Sequence, residues 1–254
     1  MSLLEKENPH ERDSHISFDE GPHIYTIDGD SNYTSVTTWN HSHFEKFDAD
    51  KIIERMMKSK NWQKSKYYGK TTDEIKEGWQ QNCDEASSAG TNLHYDIECY
   101  YNGCPRNNES VEYGYFMNFV NAYPNLKPYR TEWMVWDKEL KFAGSIDMVF
   151  ENPDGTLMIY DWKRSKEIKK TASFLKFSTT ECIEHLPDTN YWHYSLQLNT
   201  YKALIERNYG KKVTDMFLVC LYPGNKDFQM WKVADLQEEV NDLFELRKSS
   251  LINT

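Results

Sequence analysis

The chain has 254 residues, a formal net charge of −10, 39% hydrophobic and 28% charged residues, a composition typical of soluble globular proteins with a substantial core. No run of roughly eighteen apolar residues and no basic-then-apolar leader occurs, so neither a membrane span nor a signal peptide is expected, and the setting is read as intracellular. The acidic balance disfavours a phosphate-rich partner unless Lys and Arg gather locally, and the five scattered cysteines, without a Cys-x-x-Cys pair, argue against a disulfide framework or a zinc module.

Residues 1–15 are polar and are expected to be mobile. His23-Ile-Tyr-Thr-Ile27 alternates, Asp28-Gly29 marks a tight turn, and Thr34 to Trp39 is expected as the returning strand of an N-terminal β-hairpin. His23, His41 and His43 lack carboxylate partners in the sequence, which disfavours a metal site there. Asp48 is a candidate N-cap for a helix with Ile52, Ile53, Met56 and Met57 on its apolar stripe. Thr71-Thr-Asp-Glu74 reads as the capping box of a second helix carrying Ile75 and Trp79. Across this region Lys51, Arg55, Lys58, Lys60, Lys64, Lys66 and Lys70 surround Trp62, Tyr67 and Tyr68. That run is either a solvated helix face or a set of stacking and phosphate contacts.

A longer helix is expected over residues 84–101, with Leu93, Ile97 and Tyr100 facing a core. His94 and Glu98 lie one turn apart at the edge of that stripe. By helix geometry alone His94 is more often a boundary histidine than a ligand. Val111 to Ala122 reads as an aromatic-rich helix ended by Pro124, and Tyr129 to Trp136 as a strand. Glu132 on that strand is either a cation ligand or a cross-strand partner for Arg130 or a lysine.

Gly144 to Phe150 and Leu157 to Lys163 alternate as strands around the turn Asn152-Pro-Asp-Gly155, and a hairpin centred there sets Asp147 opposite Asp161. Asp161 and Lys163 share one face, while Met158, Tyr160 and Trp162 offer the other to covering helices. Two acids and a lysine on a mostly apolar sheet are costly to desolvate unless something neutralises the acids. A divalent cation held by Asp147 and Asp161 does so, with Lys163 orienting or helping to deprotonate the attacking water and offsetting charge on the phosphate. The plainer alternative is a strand-end acid at Asp147 and a surface ion pair between Asp161 and Lys163.

Lys163, Arg164, Lys166, Lys169, Lys170 and Lys176 then form a basic run with only Glu167 opposing it in sequence. Asp188 or Thr189 caps the next helix, which sets Tyr194, Gln197, Tyr201 and Leu204 on one side. Met216 to Tyr222 reads as a buried strand with Cys220 as an inert core thiol, Phe228 to Val233 as its neighbour, and residues from Ala234 as a last helix.

Four of these pieces, in this order, resemble the PD-(D/E)xK nuclease core and its RecB-like branch. They are Gly90-Thr-Asn-Leu-His94 with Glu98, Gly144-x-x-Asp147, Asp161-Trp162-Lys163, and Gln197-x-x-x-Tyr201, covering roughly residues 83–223. The resemblance implies a restriction-endonuclease-like α/β fold: helix, three-stranded β-meander, helix, strand, with flanking helices and the N-terminal β-hairpin. Residues 1–82 would be an extension and 83–254 the core.

It further implies a Mg2+ or Mn2+ ion held by His94, Asp147, Asp161 and the backbone carbonyl of Trp162, with Glu132 as a looser additional match. Asp147, Asp161, Lys163 and Gln197 would be catalytic, Glu98 would support, and Tyr201 would brace Gln197 or contact DNA. Arg164, Lys166, Lys169 and Lys170 would meet the nucleic acid. Some relatives carry an iron-sulfur cluster on one upstream and three closely spaced downstream cysteines; this chain lacks the trio, and no cluster is expected.

The function so implied is metal-dependent hydrolysis of DNA, most simply by an exonuclease acting on single-stranded or strand-separated free ends in replication, repair or recombination, as in phage, large-DNA-virus and mitochondrial relatives. The alternatives are a structure-selective endonuclease or junction resolvase, an RNA-directed activity, and an inactive nucleic-acid-binding module. No membrane partner is expected.

Overall fold

The computed structural model describes residues 2–172 and 176–252. In chain order it contains α1 (Leu3–Glu7), a 3-10 turn (Glu11–His15), β1 (Ile16–Asp19), β2 (Ile24–Ile27), β3 (Thr34–Ser35), α2 (Val36–His41), α3 (Ala49–Met57), a 3-10 turn (Trp62–Lys64) and α4 (Thr72–Tyr101). There follow α5 (Val111–Ala122), β4 (Lys127–Asp137), β5 (Phe142–Glu151), β6 (Leu157–Lys163), a 3-10 turn (Glu181–Ile183), α6 (Asn190–Asn208), β7 (Val213–Cys220), β8 (Gln229–Lys232) and α7 (Gln237–Ile252). The chain forms two compact units, Met1–Glu45 with His94–Thr254, and Lys46–Leu93.

A six-stranded mixed sheet organises the first unit, in the order β3-β5-β6-β7-β8 with β4 on β5. The meander β4-β5-β6 is antiparallel. The parallel β6–β7 pair is reached through α6, the crossover that parallel strands need. This is the α/β core with flanking helices expected from the sequence. Leu157 and Ile159 enter a core with Leu196, Leu204, Val240 and Phe244 of α6 and α7. The opposite side chains of β6, Tyr160 and Trp162, meet Phe119 of α5, and Trp162 also meets Phe116 edge-on. The alternation of β6 thus buries both faces, and the polar Asp161 and Lys163 fall where one apolar face ends.

Several local expectations are corrected. Residues 2–15 are ordered against the end of α4 and β4: Leu4 N–H donates to Asn102, just after α4, Asn8 Nδ2 to the carbonyl of Tyr129, and Arg130 to the Asp13 carboxylate at 2.7 Å. The N-terminal hairpin pairs Ile24–Ile27 with Ile16–Asp19 rather than with Thr34–Trp39. Only Thr34 and Ser35 are extended, because the Ser35 hydroxyl accepts the Thr38 N–H at 3.1 Å and starts α2. Its β-branched residues still bury Val36 and Trp39 one turn apart. Asp28 and Gly29 do form the tight turn, both with left-handed φ.

The two helices expected over residues 72–101 are one helix. The Thr71–Glu74 capping box starts it, with both reciprocal bonds made, and nothing in between stops it: no proline occurs, and Gly78 and Gly90 are tolerated within the helix.

Candidate active site

The site is assembled where strand ends of the meander meet the last turns of α4 and the middle of α6. The register of β5 on β6 pairs Met148 with Tyr160 and Val149 with Ile159; one step further along the same register Asp147 stands opposite Asp161. There the ladder gives way to a side chain, as Asp147 Oδ2 accepts the backbone N–H of Trp162 at 3.0 Å. On the other side of β5, Thr131 pairs with Met148 and Trp133 with Ile146, which leaves Glu132 opposite Asp147. Glu132 adopts φ +43°, a left-handed conformation that is strained for a residue with a side chain. Its carboxylate accepts the Ser145 hydroxyl at 2.7 Å, so it is not the partner of Arg130, which binds Asp13 instead.

His94, Glu132 and Asp147 each offer a ligand atom, and these atoms lie within 4.8 Å of one another. His94 Nε2 is 2.9 Å from the carbonyl oxygen of Trp162. A carbonyl only accepts, so Nε2 carries the hydrogen and, in the neutral ring, Nδ1 presents its lone pair. That lone pair faces Asp147 Oδ2 at 3.5 Å. Two electron-rich atoms, joined by the Glu132 carboxylate, surround a common space. Such a set of oxygen and nitrogen donors fits a divalent cation.

Asp161 is 3% exposed and sits beside this group. Lys163 Nζ is 2.7 Å from Asp161 Oδ2 and pairs it as ammonium and carboxylate. With Asp147 also facing this space, the acids outnumber the one ammonium, an excess that a divalent cation would balance. Burial pushes the Asp161 carboxyl up to about 6, with Lys163 opposing and Asp147 adding to the rise. Burial, then the Asp147 charge, pushes Glu132 up to about 7. Burial pulls the Lys163 ammonium down, but Asp161 and Asp147 outweigh it and hold it above its ordinary value. These opposed shifts mark crowded acids without enough positive charge, a pattern concentrated at functional sites.

The remaining expected residues divide. The Gln197 amide lies 3.5 Å from the hydroxyl of Tyr201, one turn further along α6. Tyr201 is 3% exposed and its ring covers Gly144, a position that suits bracing Gln197. The Glu98 carboxylate makes no hydrogen bond or ion pair among the described residues; it lines a cavity of about 230 Å3 beside Glu132, and burial raises its pKa. The Trp162 carbonyl is engaged by His94 rather than open to the shared space. Arg164 is tied to Glu112 at 2.7 Å and Lys169 to Glu167 at 2.7 Å, while Lys170 lies over the Tyr191 ring; Lys166 and Lys170 are exposed and have no carboxylate partner among the described residues. The opposition from Glu112 was invisible in sequence, because it comes from α5, far up the chain.

Two contacts escaped the sequence reading. Tyr194, one turn before Gln197, places its ring 4.6 Å from Lys163 Nζ. Tyr25, in the N-terminal hairpin, is buried beside the Ser145 backbone and near Glu132, and burial followed by the Glu132 charge raises it to about 12. The shared face of Tyr194 and Gln197 was a signal for the first; nothing local in sequence pointed to the second.

Among solved structures the chain is similar to SSO0001, at 15% identity and a TM-score of 0.41, over 99% of this chain and 84% of that one. It is also similar, at 10% identity and a TM-score of 0.35, to an Eubacterium rectale protein named "Putative exonuclease", over 65% of each chain. No curated protein matches. A model of the PD-(D/E)XK nuclease superfamily matches residues 109–250, a span that holds Glu132, Asp147, Asp161, Lys163 and Gln197 and begins after His94. With more than half of its length matched, the chain belongs to the PD-(D/E)XK nuclease superfamily.

Proposed function

We propose that this nuclease-superfamily chain is a divalent-metal-dependent deoxyribonuclease of the RecB-like branch, acting as an exonuclease on DNA ends. The observation that carries the reading is the donor set of His94, Glu132 and Asp147 within 4.8 Å, beside the buried Asp161 and its partner Lys163. The branch is supported by His94 on α4 and by Gln197 with Tyr201 on α6, the motifs that resemble it.

Mg2+ or Mn2+ would be held by His94, Glu132, Asp147 and Asp161, and when bound would polarise the scissile phosphate and make water more acidic. The chain's own residues do the rest. Asp147 and Asp161 would hold the cation, and Lys163, held protonated by its carboxylates, offsets negative charge growing on the phosphate instead of taking a proton. Tyr194 holds the ammonium over its ring, and the Gln197 amide is within reach to donate to a phosphate oxygen once released from Tyr201. Lys166 is exposed to meet the backbone of the strand.

Digestion of matched linear and covalently closed DNA, with magnesium, manganese or chelator, tests this reading. Metal-dependent loss of linear DNA only is the expected result. Cutting of closed circles instead supports the endonuclease or resolvase alternative, and binding without cleavage under every condition overturns the catalytic assignment.

A further inference from the structure

The unit Lys46–Leu93 carries a feature that the cleavage site does not use. After α3 the chain makes a series of tight turns: Ser59 N–H donates to Met56, Trp62 to Ser59, Lys64 to Asn61 and Ser65 to Trp62, all main chain to main chain at 2.9–3.1 Å. These turns shape an open groove of about 450 Å3 lined by Met56, Ser59, Asn61, Trp62, Lys64 and Ser65. One wall is an indole, another a thioether, and the rim carries an amide and an ammonium. Tyr68, 56% exposed, continues the aromatic surface with its ring 6.1 Å from that of Trp62. Tyr67 is already committed, since its hydroxyl accepts the Trp79 indole N–H at 2.7 Å.

The charge around this groove runs against that of the chain. Lys58, Lys60, Lys64, Lys66 and Lys70 fall within residues 58–70, which contain no acid, in a protein of net charge −10. Lys58 is paired with Glu54. Among the described residues Lys60, Lys64, Lys66 and Lys70 form no ion pair, and all four are exposed. A half-buried indole lining the groove and an exposed tyrosine beside it, among lysines without ion pairs, match a flat base joined to phosphates, and a groove built by backbone hydrogen bonds needs little ordering to receive one.

We propose that this groove binds single-stranded nucleic acid, with a base stacked on Trp62, its edge within reach of Asn61, and flanking phosphates on Lys60 and Lys64. A duplex keeps its bases stacked inside and cannot present one to Trp62. The proposal deepens the deoxyribonuclease reading and rests on it for the identity of the strand, but its binding step needs no metal.

The test uses the full chain in chelator, which stops cleavage, with fluorescein-labelled oligo-dT and a matched duplex followed by anisotropy at several salt concentrations. Trp62→Ala weakens oligo-dT binding by about tenfold, while Trp62→Tyr, which keeps a stacking face, restores most of it. Lys60→Gln with Lys64→Gln flattens the salt dependence for oligo-dT by about 1.4 in log–log slope. Equal affinity of Trp62→Ala and the parent overturns the proposal, as does an equal loss on the duplex or a Trp62→Tyr loss as large as that of alanine. Manganese-dependent hydrolysis of bis(p-nitrophenyl) phosphate, which carries no nucleobase and no flanking phosphates, is unchanged in all three variants. If the parent lacks that hydrolysis but shows the oligo-dT effects, the deoxyribonuclease reading fails and the groove stands.

Discussion

Asp147 and Trp162 are joined by a side-chain-to-main-chain hydrogen bond, Oδ2 to N–H at 3.0 Å, at the point where the β5–β6 ladder ends. The same peptide plane of β6 that donates to Asp147 is followed by the carbonyl that accepts from His94. One strand end therefore fixes both the acid and the imidazole, on rigid elements rather than loops. Asp147→Ala is expected to do two things at once: remove a cation donor and free the end of β6. Calorimetric titration with manganese should show cation binding weakened by at least about a hundredfold, and cleavage should fall by a factor on the order of a thousand. Asp147→Asn keeps an acceptor for the Trp162 N–H, so it should lose cation binding while keeping its melting temperature within a few degrees of the parent. Unchanged cation affinity in either variant contradicts the assignment.

The raised carboxyls fix the sign of the pH dependence. Glu132 is pushed to about 7 and Asp161 to about 6 by burial, above the ordinary values of 4.5 and 3.8. A folded-state pKa above the unfolded one gives stability that is fully present below the unfolded value and lost as pH rises through the folded value. In chelator the melting temperature should therefore fall between pH 5 and 8, by about 2–4 °C for each kcal/mol lost in a chain of this size. Protons and cation compete for the same oxygens, so manganese should restore the lost stability at pH 8 and do little at pH 5. Glu132→Gln should flatten the chelator profile above pH 6. A melting temperature that rises across this range without metal contradicts the acid cluster.

The architecture and the site were legible to different depths. The strands around Asp147 and Asp161 follow from period-two alternation, which sets Asp161 and Lys163 on one face. Asp147 joins that face only if the hairpin is centred on Asp154, since a slip of one residue would oppose it to Trp162; the pairing of Met148 with Tyr160 is the centred register. Glu132 could not be resolved, because its role depends on the register of β4 on β5, which sets it opposite Asp147, and that pairing leaves no signal within β4 itself. The Val36–His41 helix was read as a strand because β-branched residues fit both, and the decisive Ser35 cap is one hydrogen bond. Tyr25 and Glu112 act across long sequence separations, where a local pattern carries no information.

Gly144 offers a stability test independent of catalysis. A Cβ there would stand 2.8 Å from the ring and hydroxyl of Tyr201, closer than real side chains approach. Tyr201 is locked in the core of α6 and cannot swing away cheaply. Gly144→Ala should cost about 1–3 kcal/mol, typical of overpacking, and denaturant unfolding should report it. Tyr201→Leu vacates the space, so the double variant should be less unstable than the sum of the singles, a coupling of about 1 kcal/mol or more. Additive losses show that the two residues do not meet.

Lys163 and Tyr194 make the sharpest kinetic prediction. The ammonium is held between the Asp161 carboxylate at 2.7 Å and the Tyr194 ring at 4.6 Å, so its position depends on both. Lys163→Met removes the charge that offsets the phosphate and should lower kcat by about a hundredfold or more, with cation affinity nearly kept. Tyr194→Phe retains the ring face and should cost little, whereas Tyr194→Leu removes a contact worth about 0.5–2 kcal/mol and should lower kcat by roughly 2- to 30-fold. The ring acts on the reaction only through the lysine, so in a Lys163→Met background Tyr194→Leu should cost nothing further. A full additional loss in that background assigns Tyr194 a contact with the strand instead, and single-turnover cleavage of a labelled oligonucleotide in manganese separates the two outcomes.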